Sequence, residues 1–345
     1  MNNKKVLLGL SGGVDSSVAM HLLKEKGYYV EAAVIDFSPC HKHAIEAAKK
    51  SANSHGVKLH IIKCHEEFKK EVIEPFAKWY LNGKTPNPCI FCNPKVKFAM
   101  LLKKANELGF DYISTGHYAK IEKGENGFFI KKASYLPKDQ SYMLYRLSQE
   151  QLSKLILPLE SFSKEEIRAI ASKLGLSCAN APDSQEICFI EGESYWDYIE
   201  RNFGISKKGK FISPEGKEIC QHNGILHYTV GQRKGLGISL GYPAFIKSID
   251  SESGNIYLGK KGEDCKQKII IDDCVLSPFD FKENENIECS AKVRYSVGEK
   301  KCLVKLLPGQ KLSVEFLEPQ NNAACTGQSC VLYKNDYVIG GGYIS

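Results

Sequence analysis

The string Gly9-Leu-Ser-Gly-Gly-Val-Asp-Ser16 contains the residue types needed to hold an anion. It follows the apolar stretch Val6–Leu10 and opens a helical pattern over Ser16–Lys26. Glycines at such a turn let the backbone approach a ligand, and a helix N-terminus offers unpaired N–H groups to phosphate oxygens. The string is neither the G-x4-G-K-[ST] of a Walker loop nor the G-x-G-x-x-G of a dinucleotide fold. For a generic glycine pair, a tight strand–helix turn with a serine cap would be the plainer reading.

Thiols are the second source of chemistry. There are 13 cysteines in 345 residues, an odd number in a chain well above the size of disulfide scaffolds. With no secretion signal legible, this points to a reducing, cytoplasmic compartment in which most thiols are small core hydrophobes. Two candidates stand apart in Thr85-Pro-Asn-Pro-Cys-Ile-Phe-Cys-Asn93, where Cys89 and Cys92 are three residues apart. A third is Cys188, in Asp183-Ser-Gln-Glu-Ile-Cys-Phe-Ile190. C-x-x-C alone fits half a zinc site, a redox pair or chance. A second C-x-x-C is absent, and Cys325 and Cys330 are five apart in a remote tail.

These residues need a frame. Strands at Val6–Leu10, Tyr29–Ile35, Leu59–Lys63 and Tyr112–Thr115 alternate with helices at Ser16–Lys26, His43–His55, Glu66–Leu81 and Val96–Leu108. That alternation predicts an α/β doubly wound parallel sheet, with ligands beyond the carboxyl ends of its strands. Ser11–Gly13 and the Thr115-Gly-His117 turn both fall there. From about Lys207 the texture becomes β-rich. Stretches such as Ala244–Ser248, Lys268–Ile271, Cys302–Leu307 and Ser329–Tyr333 alternate with Gly, Asn, Asp and Pro. Small all-β modules are expected, the last a barrel. The expected domains are 1–205, 206–267 and 268–345.

Bulk properties add limits. The chain is 43% hydrophobic and 25% charged, with a net charge of +7. No apolar run approaches the roughly 20 residues of a membrane span, and MNNKKVLLGL reads as a first strand and not a signal peptide. A basic balance suits a polyanion without demanding one.

Ser11-Gly-Gly-Val-Asp-Ser16 resembles the pyrophosphate-binding loop of the PP-loop ATPases, which cleave ATP between the α- and β-phosphates to activate a carbonyl oxygen as its adenylate. Further strings follow in order: Pro86-Asn-Pro…Cys92-Asn, Thr115-Gly-His-Tyr118, Lys138-Asp-Gln-Ser-Tyr142, Ile187-Cys-Phe-Ile190, Tyr228-Thr-Val-Gly-Gln-Arg-Lys-Gly-Leu-Gly237, Arg294-Tyr295 and Gly327-Gln-Ser329. Together, across nearly the whole chain, they resemble the bacterial tRNA-specific 2-thiouridylase family, which thiolates the wobble uridine (position 34) at C2. The resemblance implies a PP-loop (adenine nucleotide α-hydrolase-like) catalytic domain, a small central domain and a C-terminal β-barrel.

By that resemblance, Gly9, Leu10, Ser11, Gly12, Gly13, Val14, Asp15 and Ser16, with Ile35 and Gly116, form the ATP pocket, and Asp15 holds Mg²⁺. Cys92 is the nucleophile and Cys188 the persulfide carrier. Asn87, Pro88 and Cys89 frame the target base. His117, Lys138, Asp139, Gln140, Arg294, Tyr295 and Gln328 touch tRNA. A cysteine desulfurase or a sulfur-relay protein is the implied donor.

Two departures from the family pattern leave alternatives open. Many members carry aspartate where this chain has Cys89, so Cys89, Cys92 and Cys188 could ligate a [4Fe–4S] cluster with an open iron. A persulfide relay ending in a Cys92–Cys188 disulfide is the competing chemistry. The change at Cys89 supplies a soft ligand and tilts the expectation slightly toward the cluster. Members also usually carry an acidic, tryptophan-containing insertion after the second strand. Here Ile35-Asp-Phe-Ser-Pro-Cys40 runs into a helix, and Cys40-His-Lys-His43 reads as a helix start. The RNA could then be tRNA or another RNA such as rRNA. A PP-loop ligase or amidotransferase for a small molecule lacks support, because no N-terminal nucleophilic cysteine is present. A non-catalytic RNA-binding module would have no use for both cysteines.

Overall fold

The computed structural model describes residues 4–181, 187–260, 263, 267–279, 281, 285–318 and 324–345, without the side chain of Cys40. The leading part of the Cys188 string, residues 183–186, lies outside the described residues. The chain forms two compact units: 1–72 with 89–191 and 335–338, and 73–88 with 192–334 and 339–345.

In the first unit, Lys5–Gly9 is the central strand of a five-stranded parallel sheet. Tyr29–Asp36 and then Leu59–Lys63 lie on one side, Tyr112–Ser114 and then Leu155–Ile156 on the other. Val6 is in register with Val30 and with Tyr112. Because side chains alternate along a strand, Val6 and Leu8 share one face. They build a buried core with Val14, Val18 and Leu22 of the helix Val14–Glu25 and with Ile167 and Ala171 of the helix Lys164–Lys173. All strands run parallel, so Gly9, Asp36, Lys63 and Ser114 end on one edge of the sheet. The loops that leave this edge carry the candidate residues.

The helix expected over Glu66–Leu81 is interrupted. His65–Phe68 passes into a π-helical turn, Lys69–Ile73, before Glu74–Leu81. Pro75 is the physical cause, since its ring lacks an N–H and clashes with the carbonyl four residues back. Pro94 does the same in a second π turn, Asn93–Lys97, which joins Pro88–Cys92 to Phe98–Glu107.

In the second unit, Lys210–Ile212, Glu218–Gln221, Ala244–Ile249 and Ile256–Lys260 form a small four-stranded sheet. Lys268–Leu276, Lys311–Phe316, Lys300–Leu307, Asn286–Lys292, Ser329–Lys334 and Tyr337–Ile344 follow as a six-stranded barrel. It closes where Ile271 pairs with Ile344. Closure removes unpaired strand edges.

Candidate active site

The glycine turn is shaped by packing before any ligand is considered. Gly12 has φ +80°, and a Cβ there would lie 2.5 Å from the Ala47 side chain. A Cβ on Gly116 would lie 2.8 Å from the Ser16 amide nitrogen, so the turn after Tyr112–Ser114 presses directly on the first turn of the helix Val14–Glu25. That helix is preceded by Gly13 in an extended conformation, with no side-chain cap. Its first-turn N–H groups are therefore left for an anion. The Ser11 and Ser16 hydroxyls sit 3.2 Å apart at its mouth, and Ser16 also donates to the Gly13 carbonyl at 3.1 Å. Ser17 turns inward to Ser51 at 2.7 Å.

Asp15 is not an open carboxylate. Its Oδ1 accepts from the Tyr118 hydroxyl at 2.6 Å and from Lys164 Nζ at 2.7 Å, while Oδ2 accepts from Lys164 at 2.8 Å. Lys164 is buried, at 6% exposure, and needs a counter-ion there. As folded, Asp15 neutralises Lys164, while its side chain remains 32% exposed and its two oxygens keep lone-pair capacity through which they could hold Mg²⁺. Lys164 was not among the sequence candidates; a lysine at the start of a surface-patterned helix carries no signal of its own. What places it is a capping box. Ser163 Oγ accepts from the Glu166 amide at 3.2 Å, and Glu166 accepts from the Ser163 amide at 2.7 Å.

The three thiols come within electrostatic reach of one another. Cys92 is buried, whereas Cys89 and Cys188 are exposed. Burial pushes the Cys92 thiol up to about 12, Lys97 pulls it down by its charge and through its backbone N–H, and Cys188 and Cys89 add smaller upward terms. Cys188 keeps accessible surface, yet protein atoms crowd it closely enough that desolvation raises it to about 11. Cys89 again raises it, and Lys97 opposes. The same Lys97 charge reaches His117, whose ring burial drives well below its usual range. Lys97, the last residue of the π turn after Cys92, is thus the cation common to Cys92, Cys188 and His117, and it too was missed in the sequence.

Among the described residues, no three His, Cys, Asp or Glu side chains are grouped as a metal site. Such a grouping is what the cluster favoured from the substitution at Cys89 would need.

Several expected RNA contacts have structural employment. Asp139 is buried, accepting from the Ala133 amide at 2.9 Å and the Ser141 hydroxyl at 2.6 Å. Gln140 accepts from the Tyr118 amide at 3.0 Å, and His117 Nδ1 bonds Thr115 Oγ1 at 2.7 Å. Gln328 donates to the Thr85 carbonyl at 2.7 Å, pinning the loop that leads into Asn87 and Pro88. Arg294 is a correction. Its guanidinium turns inward, donating to the Val230 carbonyl at 3.3 Å and contacting Cys325. Its charge holds the loop of the Tyr228–Gly237 string to the barrel. Tyr295 lies under Lys292, with the ammonium 5.3 Å from the ring centre. Lys138 ends a short 3-10 turn and is half-buried. Ile35 is the next-to-last residue of the second strand, in register with Ile62.

Residues 4–192 match a family model described as tRNA methyl transferase HUP domain. Residues 197–260 match a tRNA methyl transferase PRC-barrel domain, and 267–344 an aminomethyltransferase beta-barrel domain. The tRNA-specific 2-thiouridylase MnmA of Caldicellulosiruptor saccharolyticus is 42% identical, over 99% of this chain and 98% of its own length. The chain belongs to the tRNA-specific 2-thiouridylase family. A relative of the same name from Acetivibrio thermocellus is also 42% identical, over the full length of both chains. Against solved structures, a 4-thiouridine synthetase–RNA complex with bound ATP aligns over 54% of this chain and 45% of its own, at 21% identity and a TM-score of 0.37, a likeness too slight to bear on function. Within the family frame the fold expectation holds: parallel sheet, central β module and closed barrel.

Proposed function

We propose that this chain is a cytoplasmic, ATP-dependent sulfurtransferase that converts uridine to 2-thiouridine in tRNA, at the wobble position. The observation that carries the reading is Lys97 acting on both Cys92 and Cys188, in a unit that also holds an uncapped, serine-lined helix N-terminus and in a chain 42% identical to 2-thiouridylases along its whole length.

ATP phosphates would occupy the Ser11–Ser16 turn, where N–H groups, two hydroxyls and the Lys164 ammonium face negative charge. The uridine O2 attacks the α-phosphate, forming the adenylate and releasing pyrophosphate. Cys188, loaded as a persulfide by a cysteine desulfurase or a relay protein, attacks C2 with its outer sulfur. The C2–O bond breaks and AMP leaves. Cys92 thiolate then attacks Cys188 Sγ, and the bond between Sγ and the transferred sulfur breaks. The 2-thiouridine leaves as its thiolate, and two cysteine thiols have become one disulfide. An external dithiol reduces that disulfide for the next turnover. Lys97 lowers the cost of each thiolate.

The test is single-turnover sulfur transfer to tRNA by iron-free protein supplied with a desulfurase, read by nucleoside mass spectrometry. The expected result is one 2-thiouridine per chain and a Cys92–Cys188 disulfide peptide. Transfer that strictly requires about four bound irons per chain would replace the relay with the cluster, and product in rRNA alone would reassign the substrate.

A further inference from the structure

The turn that carries Cys188 is tied to the nucleotide-binding sheet by contacts that sulfur chemistry does not itself require. His41 closes the 3-10 turn Pro39–His41. Its Nδ1 accepts the Phe37 N–H at 3.2 Å, which places the ring proton on Nε2. The backbone carbonyl of Cys188 faces the ring within electrostatic reach and favours a proton there, while burial disfavours the charged form. A neutral imidazole has one acceptor and one donor; the acceptor takes the Phe37 N–H, and the donor is left for that carbonyl.

Aromatic rings brace the same connection. Phe37 meets His41 with ring centres 5.1 Å apart and Phe68 at 4.9 Å, and Phe68 meets Phe189 at 5.6 Å. Phe68 is fully buried and Phe189 nearly so, whereas Cys188 beside it remains exposed. The backbone at Cys188 therefore faces His41, and the side chain at 189 is held by Phe68. Both anchors rise from the carboxyl edge of the sheet, just beyond Tyr29–Asp36 and Leu59–Lys63. The groups facing the ring are Asp36, His65 and Glu191, with His65 Nε2 lying 2.9 Å from Asp36 Oδ1.

We propose that His41 is a positioning residue for the sulfur carrier: braced by Phe37 and Phe68, it fixes the Cys188 turn so that Sγ stays accessible and aimed for transfer. This rests on the reading of Cys188 as the carrier. A free turn would sample many orientations, and only a fraction of encounters with C2 would be productive.

Two near-isosteres separate positioning from folding. In His41→Asn the side-chain oxygen can still accept the Phe37 N–H but cannot reach Cys188. In His41→Gln an amide nitrogen falls near the place of Nε2 and can still face the Cys188 carbonyl. With full-length protein, both variants should form AMP from ATP and tRNA at the wild-type rate. His41→Asn should transfer sulfur from preloaded Cys188 persulfide about five- to tenfold more slowly, the effect of one lost polar contact, and His41→Gln should stay within about twofold. Iodoacetamide labelling of Cys188 in the RNA-free protein, followed on its peptide, should be faster in His41→Asn than in His41→Gln. Equal labelling and equal transfer in the two variants would overturn the proposal. If the wild-type chain transfers no sulfur at all, the parent reading has failed, and the labelling comparison still decides the role of His41.

Discussion

A thiol carries or attacks sulfur only through its thiolate, and burial opposes that form at both cysteines proposed to react, raising Cys92 to about 12 and Cys188 to about 11. Among the described residues, Lys97 is the cation that pulls both down. Alkylation of Cys188 should accordingly climb with pH, by about tenfold per unit below its pKa. Lys97→Met should shift that profile to higher pH and slow sulfur transfer at pH 7.5 several-fold, while Lys97→Arg restores both. A pH profile unchanged in Lys97→Met would remove the lysine from the mechanism. At Asp15 the expectation also changes with the structure. Asp15→Ala should abolish AMP formation by stranding the Lys164 ammonium, and should cost stability by about 2 kcal/mol. That is less than for a fully buried pair, because the Asp15 side chain is 32% exposed. Chemical denaturation beside an AMP assay reads both. Asp15, Cys92 and Cys188 were visible in the sequence because each sits in an unusual string. Lys97 and Lys164 were not, because a lysine among 47 basic residues acquires meaning only from what it faces.

At the scale of elements, what positions these lysines is local backbone chemistry. Cys92 precedes and Lys97 ends a π turn, in which the Phe98 N–H reaches back five residues to the Asn93 carbonyl. Such turns often mark functional sites because they shift side chains out of helical phase. Lys164 begins its helix inside the Ser163–Glu166 capping box. Ser163→Ala should lower stability by about 1 kcal/mol and, by loosening the first turn, raise the KM for ATP more than it lowers kcat. A fall in kcat alone would place the lysine in the chemistry and not in binding. The Glu166 carboxyl is held below its usual value by its bonds to Ser163. Its contribution is therefore full above the unfolded carboxylate range and lost as pH falls through the lowered value, and the penalty of Ser163→Ala should shrink in acid. The alternating strands and helices of the first unit were legible from periodicity. The last strand, Tyr337–Ile344, was not, because Val338-Ile-Gly-Gly-Gly-Tyr343 reads as a loop. Its glycines serve barrel closure: a Cβ on Gly342 would lie 2.6 Å from the Asp272 carbonyl oxygen. The π interruptions were equally hidden, since apolar spacing continues through them and only Pro75 and Pro94 announce the break.

For the whole molecule, a net charge of +7 sets the terms on which it meets an RNA. Each phosphate neutralised by a lysine or arginine releases condensed counterions, so affinity must fall as salt rises, with a slope of about 0.7 to 0.9 per contact. With about six such contacts, tRNA binding should weaken by about a thousandfold between roughly 50 and 200 mM salt. Composition carries this expectation but cannot say which basic residues supply it, and here the fold redistributes the candidates. Lys138 lies on a short turn at the surface of the first unit, whereas Arg294 spends its guanidinium within the second on the Val230 carbonyl and Cys325. Its Nε is also buried without a partner. Arg294 therefore behaves as an internal strut that joins the Val230 carbonyl and Cys325. Lys138→Ala should reduce the salt slope by about one and leave the melting temperature unchanged. Arg294→Ala should do the reverse, lowering the melting temperature while the slope stays at its wild-type value. Filter binding across a salt series, beside thermal denaturation of each variant, separates the two. A reduced slope with intact stability in Arg294→Ala would mean that the guanidinium leaves Val230 and turns outward when RNA binds.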